Sequence, residues 1–419
     1  MKKLMILVAA SVLLLSGCGG NRQSVLRVYN WINYIDESII PEFEQWYYEQ
    51  TGDKVKVDYS TFETNAALLA KIENQEDYDV VSPSDYIIER LLNGGLLIPI
   101  DRDFGSTPNY IDDNESPFIK KHFSNISSTV DANDYAVGNV WGTTGILYNA
   151  RYVTDNDSHT WNVIRNFKYK DRILIKDSSR DVYSQVILAV KEKEIAAGEV
   201  TPEELMYYTG EENIALVEQF LMNVHDNVLS WDAVEDKEKM IREEGYVNLT
   251  WSGEAVQAIR EAAANGVDLR YCLPDEGSTL WFDGWVITKY AVNTKAARYW
   301  INFLNRPDIV IRNADCSGYI ACNGDMAVLE HFIDNRYPAI DLSYFFGPGA
   351  DSVRVNPVMF PDRKEVERSV IEHDWGENTE KLQAMWDRVT GKRASFPWGW
   401  VLGGLAAVCV AFFLFKRKK

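Results

Sequence analysis

Histidine and cysteine are scarce in this chain of 419 residues, with five of each. The histidines His122, His159, His225, His331 and His373 form no His-Glu-x-x-His pair, and no Gly-x-Ser-x-Gly elbow is present. Two common hydrolase signatures are therefore missing. The cysteines are too few for a disulfide scaffold at this length, and none has metal-ligand spacing. Cys18 and Cys409 belong to apolar terminal segments, while Cys316 and Cys322 could pair or stay as free thiols. Internal repeats and long low-complexity segments are absent. Gly347-Pro348-Gly349 reads as a turn rather than a phosphate loop, and no carboxylate pair is singled out for glycoside cleavage. Positive charge is also in deficit: 43 Lys and Arg face 62 Asp and Glu, a net −19. A nucleic-acid partner needs clustered cations and is not expected. The expectation is a protein that is not an enzyme and carries neither cofactor nor metal.

Apolar sequence is concentrated at the two ends. Lys2 and Lys3 precede an apolar run, 4–15, which leads into Leu15-Ser16-Gly17-Cys18. Charged, apolar and small-residue regions in that order match a bacterial lipoprotein signal, and the run is too short for a span, which needs about 20 residues. The expectation is a signal peptide at 1–17, with Cys18 carrying the lipid. The uncharged stretch 398–415 is closed by Lys416-Arg417-Lys418-Lys419. It would rise about 27 Å as a helix, with the basic end on the cytoplasmic side. A C-terminal transmembrane helix at 398–415 and a cytoplasmic tail at 416–419 are expected. The membrane is thus an expected partner, with the chain held at the outer face of the cytoplasmic membrane.

Between the ends, strand and helix signals alternate. Strand patterns fall at 25–29, 55–59, 78–81, 173–175, 246–251 and 269–272. Helix patterns start near Ile40, with Pro41 in the first turn and Gly52 as a stop, and cover 65–73, 212–224 and 253–264, with another from Asp181. This alternation predicts α/β domains with mostly parallel sheets, and ligands then belong beyond the carboxyl ends of strands. Five blocks stand at such ends, at 29–34, 82–86, 176–181, 251–254 and 281–285, and in them aromatics recur beside carboxylates. Such a pairing suits a flexible aliphatic polyamine. Each ammonium needs a counter-charge, and indole and phenol faces serve both methylenes and cationic ends. Asp283, flanked by Trp281, Phe282 and Trp285, is an acid in an apolar strand and needs a partner. For Glu254, a helix N-terminal role and a ligand role stand equal.

At these blocks the sequence resembles the spermidine/putrescine-binding proteins of ABC importers, over about 25–389. The resemblance is carried by Tyr29, Asn30, Trp31 and Tyr34, by Pro83-Ser84-Asp85-Tyr86, by Trp281-Phe282-Asp283 and by Gly318-Tyr319. It implies a type II periplasmic-binding-protein-like fold, with two α/β lobes closing over an interlobe cleft. The implied lobes are 25–141 with 284–318, and 142–283 with 319–389; a tether at 18–24 and a linker at 390–397 flank them. Chain crossings are implied near 141–143, 283–286 and 317–321. Implied aromatic walls are Trp31, Tyr34, Trp251, Trp281 and Tyr319. Asp283 would grip an amine, Ser84 and Tyr86 would add polar contacts, and Asp181, Glu254 and Glu372 fall at further ligand positions. Ser178 and Asn33 each stand where some members have an acid, which leaves the particular amine open. The implied function is capture of a putrescine- or spermidine-class ligand and its delivery to the ABC permease subunits of the same importer. Alternatives are a receptor for another organic cation, or a surface sensor without transport.

Overall fold

Helix Ile39–Thr51 shows how local pattern becomes structure here. Ile39, Phe43, Trp46 and Tyr47 fall on one stripe and are buried, and Gly52 ends the helix at φ 75°, a left-handed conformation that favours glycine. The computed structural model describes residues 22–207, 209–231 and 235–391. Its frame is built from strands β1 (Val25–Trp31), β2 (Lys56–Phe62), β3 (Val80–Val81), β4 (Leu97–Ile98), β5 (Ala136–Asn149), β6 (Ile173–Ile175), β7 (Val228–Trp231), β8 (Val247–Trp251), β9 (Leu269–Cys272) and β10 (Thr279–Thr288). The main path of the sheet runs β2-β1-β3-β10-β5-β8-β6-β7.

In the first lobe β1 pairs in parallel with β2 and β3; in the second, β6 pairs in parallel with β7 and β8. The middle departs from the expected parallel pattern. β10 runs antiparallel to β3 and β5, and β5 antiparallel to β8 and β9. A strand leaving one lobe must be matched by one returning, so the crossing strands oppose each other. β5 and β10 are these two crossings, and Ile320–Ala321 adds a third on Val140 and Trp141 of β5. Each lobe keeps its own core. Leu26, Val28, Phe43, Trp285, Trp300 and Phe303 fill the first. Ile173, Ile175, Tyr183, Phe220, Trp375 and Trp386 fill the second. The stretch 319–389 divides between clusters. Leu329, Phe345 and Phe360 pack with Ile88, Phe123 and Phe282, whereas Val370, Trp375 and Leu382 join the second-lobe core.

The fold class expected from the sequence needs one correction. No helix among the described residues is long and apolar enough to cross a membrane. The longest of them, Glu211–Val224, has 14 residues and rises about 21 Å against a hydrocarbon core of about 30 Å. The C-terminal transmembrane helix is therefore removed from the fold class, which becomes the two-lobe α/β fold alone; the stretch 398–415 assigned to it lies outside the described residues. The signal at 1–17, Cys18 and the tail at 416–419 also lie outside. Cys316 is exposed and Cys322 buried, and both are free thiols.

Candidate functional site

The crossing strands bring the predicted residues together where the lobes meet. On the first-lobe side, β1 ends at Trp31 and Tyr34 follows in the next turn. The chain after β3 forms a bridge between Ser84 and Asp283, and the Gly284 N–H donates to the Pro83 carbonyl at 3.0 Å. The β10–β5 register slips between Asp283 and Gly284. A bulge of this kind re-aims a side chain, and here it falls at a buried acid. Asp283 is 1% exposed. The Ser84 hydroxyl donates to its Oδ1 at 2.6 Å, and the Tyr34 hydroxyl lies near enough to favour the charged form. No described Lys, Arg or His forms an ion pair with it. Burial pushes its carboxyl up to about 7, with the Ser84 and Tyr34 hydroxyls opposing.

Four rings run across the meeting of the lobes. Centroids are 5.9 Å apart for Trp31 and Tyr34, 5.3 Å for Tyr34 and Tyr319, and 5.3 Å for Tyr319 and Trp281. Burial holds the Tyr34 and Tyr319 hydroxyls well above their ordinary range, and both feel the charges of Asp283 and Glu254. Two glycines make room for the rings. A Cβ on Gly253 would overlap the Tyr319 ring, and one on Gly142 would meet Trp281.

On the second-lobe side, Asp181 lies in the first turn of helix Ser179–Val190, which Ser178 caps. Its carboxylate accepts from the Ser178 hydroxyl, from Trp251 Nε1 at 3.2 Å and from the Thr144 hydroxyl at 3.4 Å. Glu254 forms an ion pair with Lys176 and accepts from the Thr250 hydroxyl at 3.1 Å. Glu372 is buried, accepts from the Ser184 hydroxyl and lies 3.5 Å from Arg180 Nη1. Burial raises its carboxyl to about 7 against the pull of Arg180. The Arg180 guanidinium is stacked between Tyr86, 3.7 Å from its ring centroid, and Trp375 at 3.9 Å, and donates to the His373 carbonyl.

The predicted residues thus fall into groups. Trp31, Tyr34, Ser84, Trp281, Asp283 and Tyr319 form a continuous aromatic box around one acid. Asp181 and Trp251 are joined to each other, Tyr86 and Glu372 meet at Arg180, and Glu254 meets Lys176. The sequence reading missed Asn65, Lys176 and Trp375 as parts of this arrangement. Asn65 Nδ2 donates to the Ser84 hydroxyl at 2.9 Å and to the Tyr86 hydroxyl at 3.0 Å, and its Oδ1 accepts from the Ser84 N–H. In sequence Asn65 carries only the signal of a helix start, after Thr64. Lys176 stood inside one of the five blocks, at the carboxyl end of β6, and that position was the available signal.

Known proteins are similar to this chain in overall sequence and fold. The spermidine/putrescine-binding periplasmic protein of Salmonella typhimurium is 27% identical over 317 residues, covering 75% of this chain and 82% of its own. The putrescine-binding periplasmic protein of Escherichia coli is 26% identical, covering 76% and 83%. Among solved structures, a Listeria monocytogenes protein assigned as a spermidine/putrescine ABC transporter matches with a TM-score of 0.70 at 27% identity, covering 88% of this chain and 100% of that one. The family model for bacterial extracellular solute-binding proteins matches residues 39–336, and the chain belongs to that family, one of binding proteins rather than enzymes.

Proposed function

We propose that the chain is a receptor that captures a linear polyamine between its lobes and passes it to an ABC permease, and that it is tethered to the membrane by a lipid on Cys18. The observation that carries this reading is Asp283. A carboxyl group 1% exposed, ringed by Trp31, Tyr34, Trp281 and Tyr319 and met only by hydroxyls, lacks a counter-charge among the described residues. A ligand ammonium supplies it, and the neighbouring rings cover the methylenes. Ser84 and Tyr34 hold the carboxylate, and Asp181 with Trp251 offers a second acid–indole pair on the opposite lobe. Ligand contact from both lobes favours closure, because only the closed form satisfies both ends at once. The relatives that bind spermidine or putrescine support the same ligand class.

Calorimetric titration of the purified protein with putrescine, cadaverine, spermidine and spermine tests the proposal. Binding heat and a raised melting temperature are expected with at least one of them. Silence with all four overturns it.

A further inference from the structure

Lys176 follows β6 directly and is 3% exposed, an uncommon degree of burial for lysine. Its ammonium is paired with Glu254 and sits 4.9 Å from the centroid of the Trp251 ring. These are the two elements that an acid–aromatic cleft presents to an amine: a carboxylate for the charge and an indole face for the cation. The Thr250 hydroxyl donates to the same Glu254 oxygen at 3.1 Å. Glu254 directly follows Gly253, whose backbone lies against the Tyr319 ring of the box. One acid of the cleft is therefore already matched by an ammonium belonging to the chain. Arg180 stands in the same relation to Glu372 and Tyr86. Asp283 and Asp181 remain, and the partners described for their carboxylates are hydroxyls and, for Asp181, also an indole N–H.

We infer that Lys176 is a specificity-determining residue, a built-in ammonium that fills the Glu254 subsite and sets the cleft for a ligand with two ammonium groups rather than three. The inference rests on the polyamine reading and deepens it. A diamine places one charge at Asp283 and one at Asp181. The third ammonium of a triamine meets a site whose carboxylate is neutralised and whose near ring face is covered. Like charge then opposes it at short range.

The test is calorimetric titration of wild type, Lys176→Met, Lys176→Gln and Lys176→Arg with putrescine, cadaverine and spermidine, with melting curves to confirm folding. The wild type is expected to prefer a diamine. Either neutral variant is expected to move the spermidine-to-putrescine affinity ratio toward spermidine by about tenfold, the scale of one charge-assisted hydrogen bond. Lys176→Arg keeps the charge and is expected to keep the wild-type order. Lys176→Gln retains a donor toward Glu254 and serves where Lys176→Met does not fold. An unchanged ratio in a folded neutral variant overturns the role of Lys176 while leaving the polyamine reading intact. Absence of binding by the wild type to every amine overturns that reading, and this inference with it.

Discussion

On the proposed reading, Asp283 would couple binding to pH. Its carboxyl, raised from 3.8 to about 7 by burial, keeps its proton across a range in which the unfolded chain has lost it. This contribution to ligand-free stability is fully present below about pH 4 and is lost as pH rises through about 7. Glu372, also raised to about 7, adds in the same direction. Amine binding has the opposite dependence, because the ammonium needs the ionised carboxylate. Affinity is expected to rise between about pH 6 and about pH 8 in the wild type. Asp283→Asn should flatten that profile, weaken binding by more than about tenfold, and raise the ligand-free melting temperature at about pH 8. Unchanged affinity in this variant would make Asp283 a structural residue. The trade between a destabilised acid and a working site is a common one.

At the scale of elements, helix Ser252–Ala264 begins against an aromatic ring. Gly253 lies where a Cβ would overlap Tyr319. Helix propensity favours alanine over glycine by about 1 kcal/mol, whereas overpacking costs about 1–3 kcal/mol. Packing is the larger effect. Gly253→Ala is expected to lower polyamine affinity about fivefold or more without raising the melting temperature, read by titration and melting together. A gain in melting temperature with full affinity would show that Tyr319 has room to move. Elements of this kind were largely legible in the sequence. Helix Asn65–Glu73 has the bounds that its pattern predicts, because Thr64 caps it through the Ala67 N–H. Strand β6 is likewise marked by a short apolar run. Pairings across the chain were not legible. Lys176 meets Glu254 from a separate strand end, and Arg180 finds Trp375 from a distant segment. No local periodicity encodes such a meeting. From sequence, a helix N-terminal role and a ligand role for Glu254 stand equal, and the internal cation beside it is not visible. The antiparallel crossings were hidden for a similar reason, since direction depends on which lobe a strand returns to.

At the scale of the whole molecule, contacts outside the aromatic box also join the lobes. Arg90, on helix Asp85–Asn93 of the first lobe, pairs with Asp374 at 2.6 Å, and Glu89 accepts from the Asp374 N–H at 3.0 Å. The segment bearing Asp374 is fixed to the second lobe by Trp375, whose indole donates to the Met206 carbonyl. The pair is partly exposed, so its contribution is about 1 kcal/mol or less. Arg90→Ala should weaken polyamine binding by about two- to fivefold, chiefly through faster dissociation, measured by stopped flow. An unchanged dissociation rate would exclude this pair from closure. The two described ends of the chain also sit on different lobes. Arg22 is tied to Asp77 and Asp79 beside β3, whereas helix Asn378–Thr390 packs on helix Glu211–Val224. Their separation is therefore a natural ruler, and a pair of dyes or spin labels placed there would follow each capture event without altering a residue of the cleft.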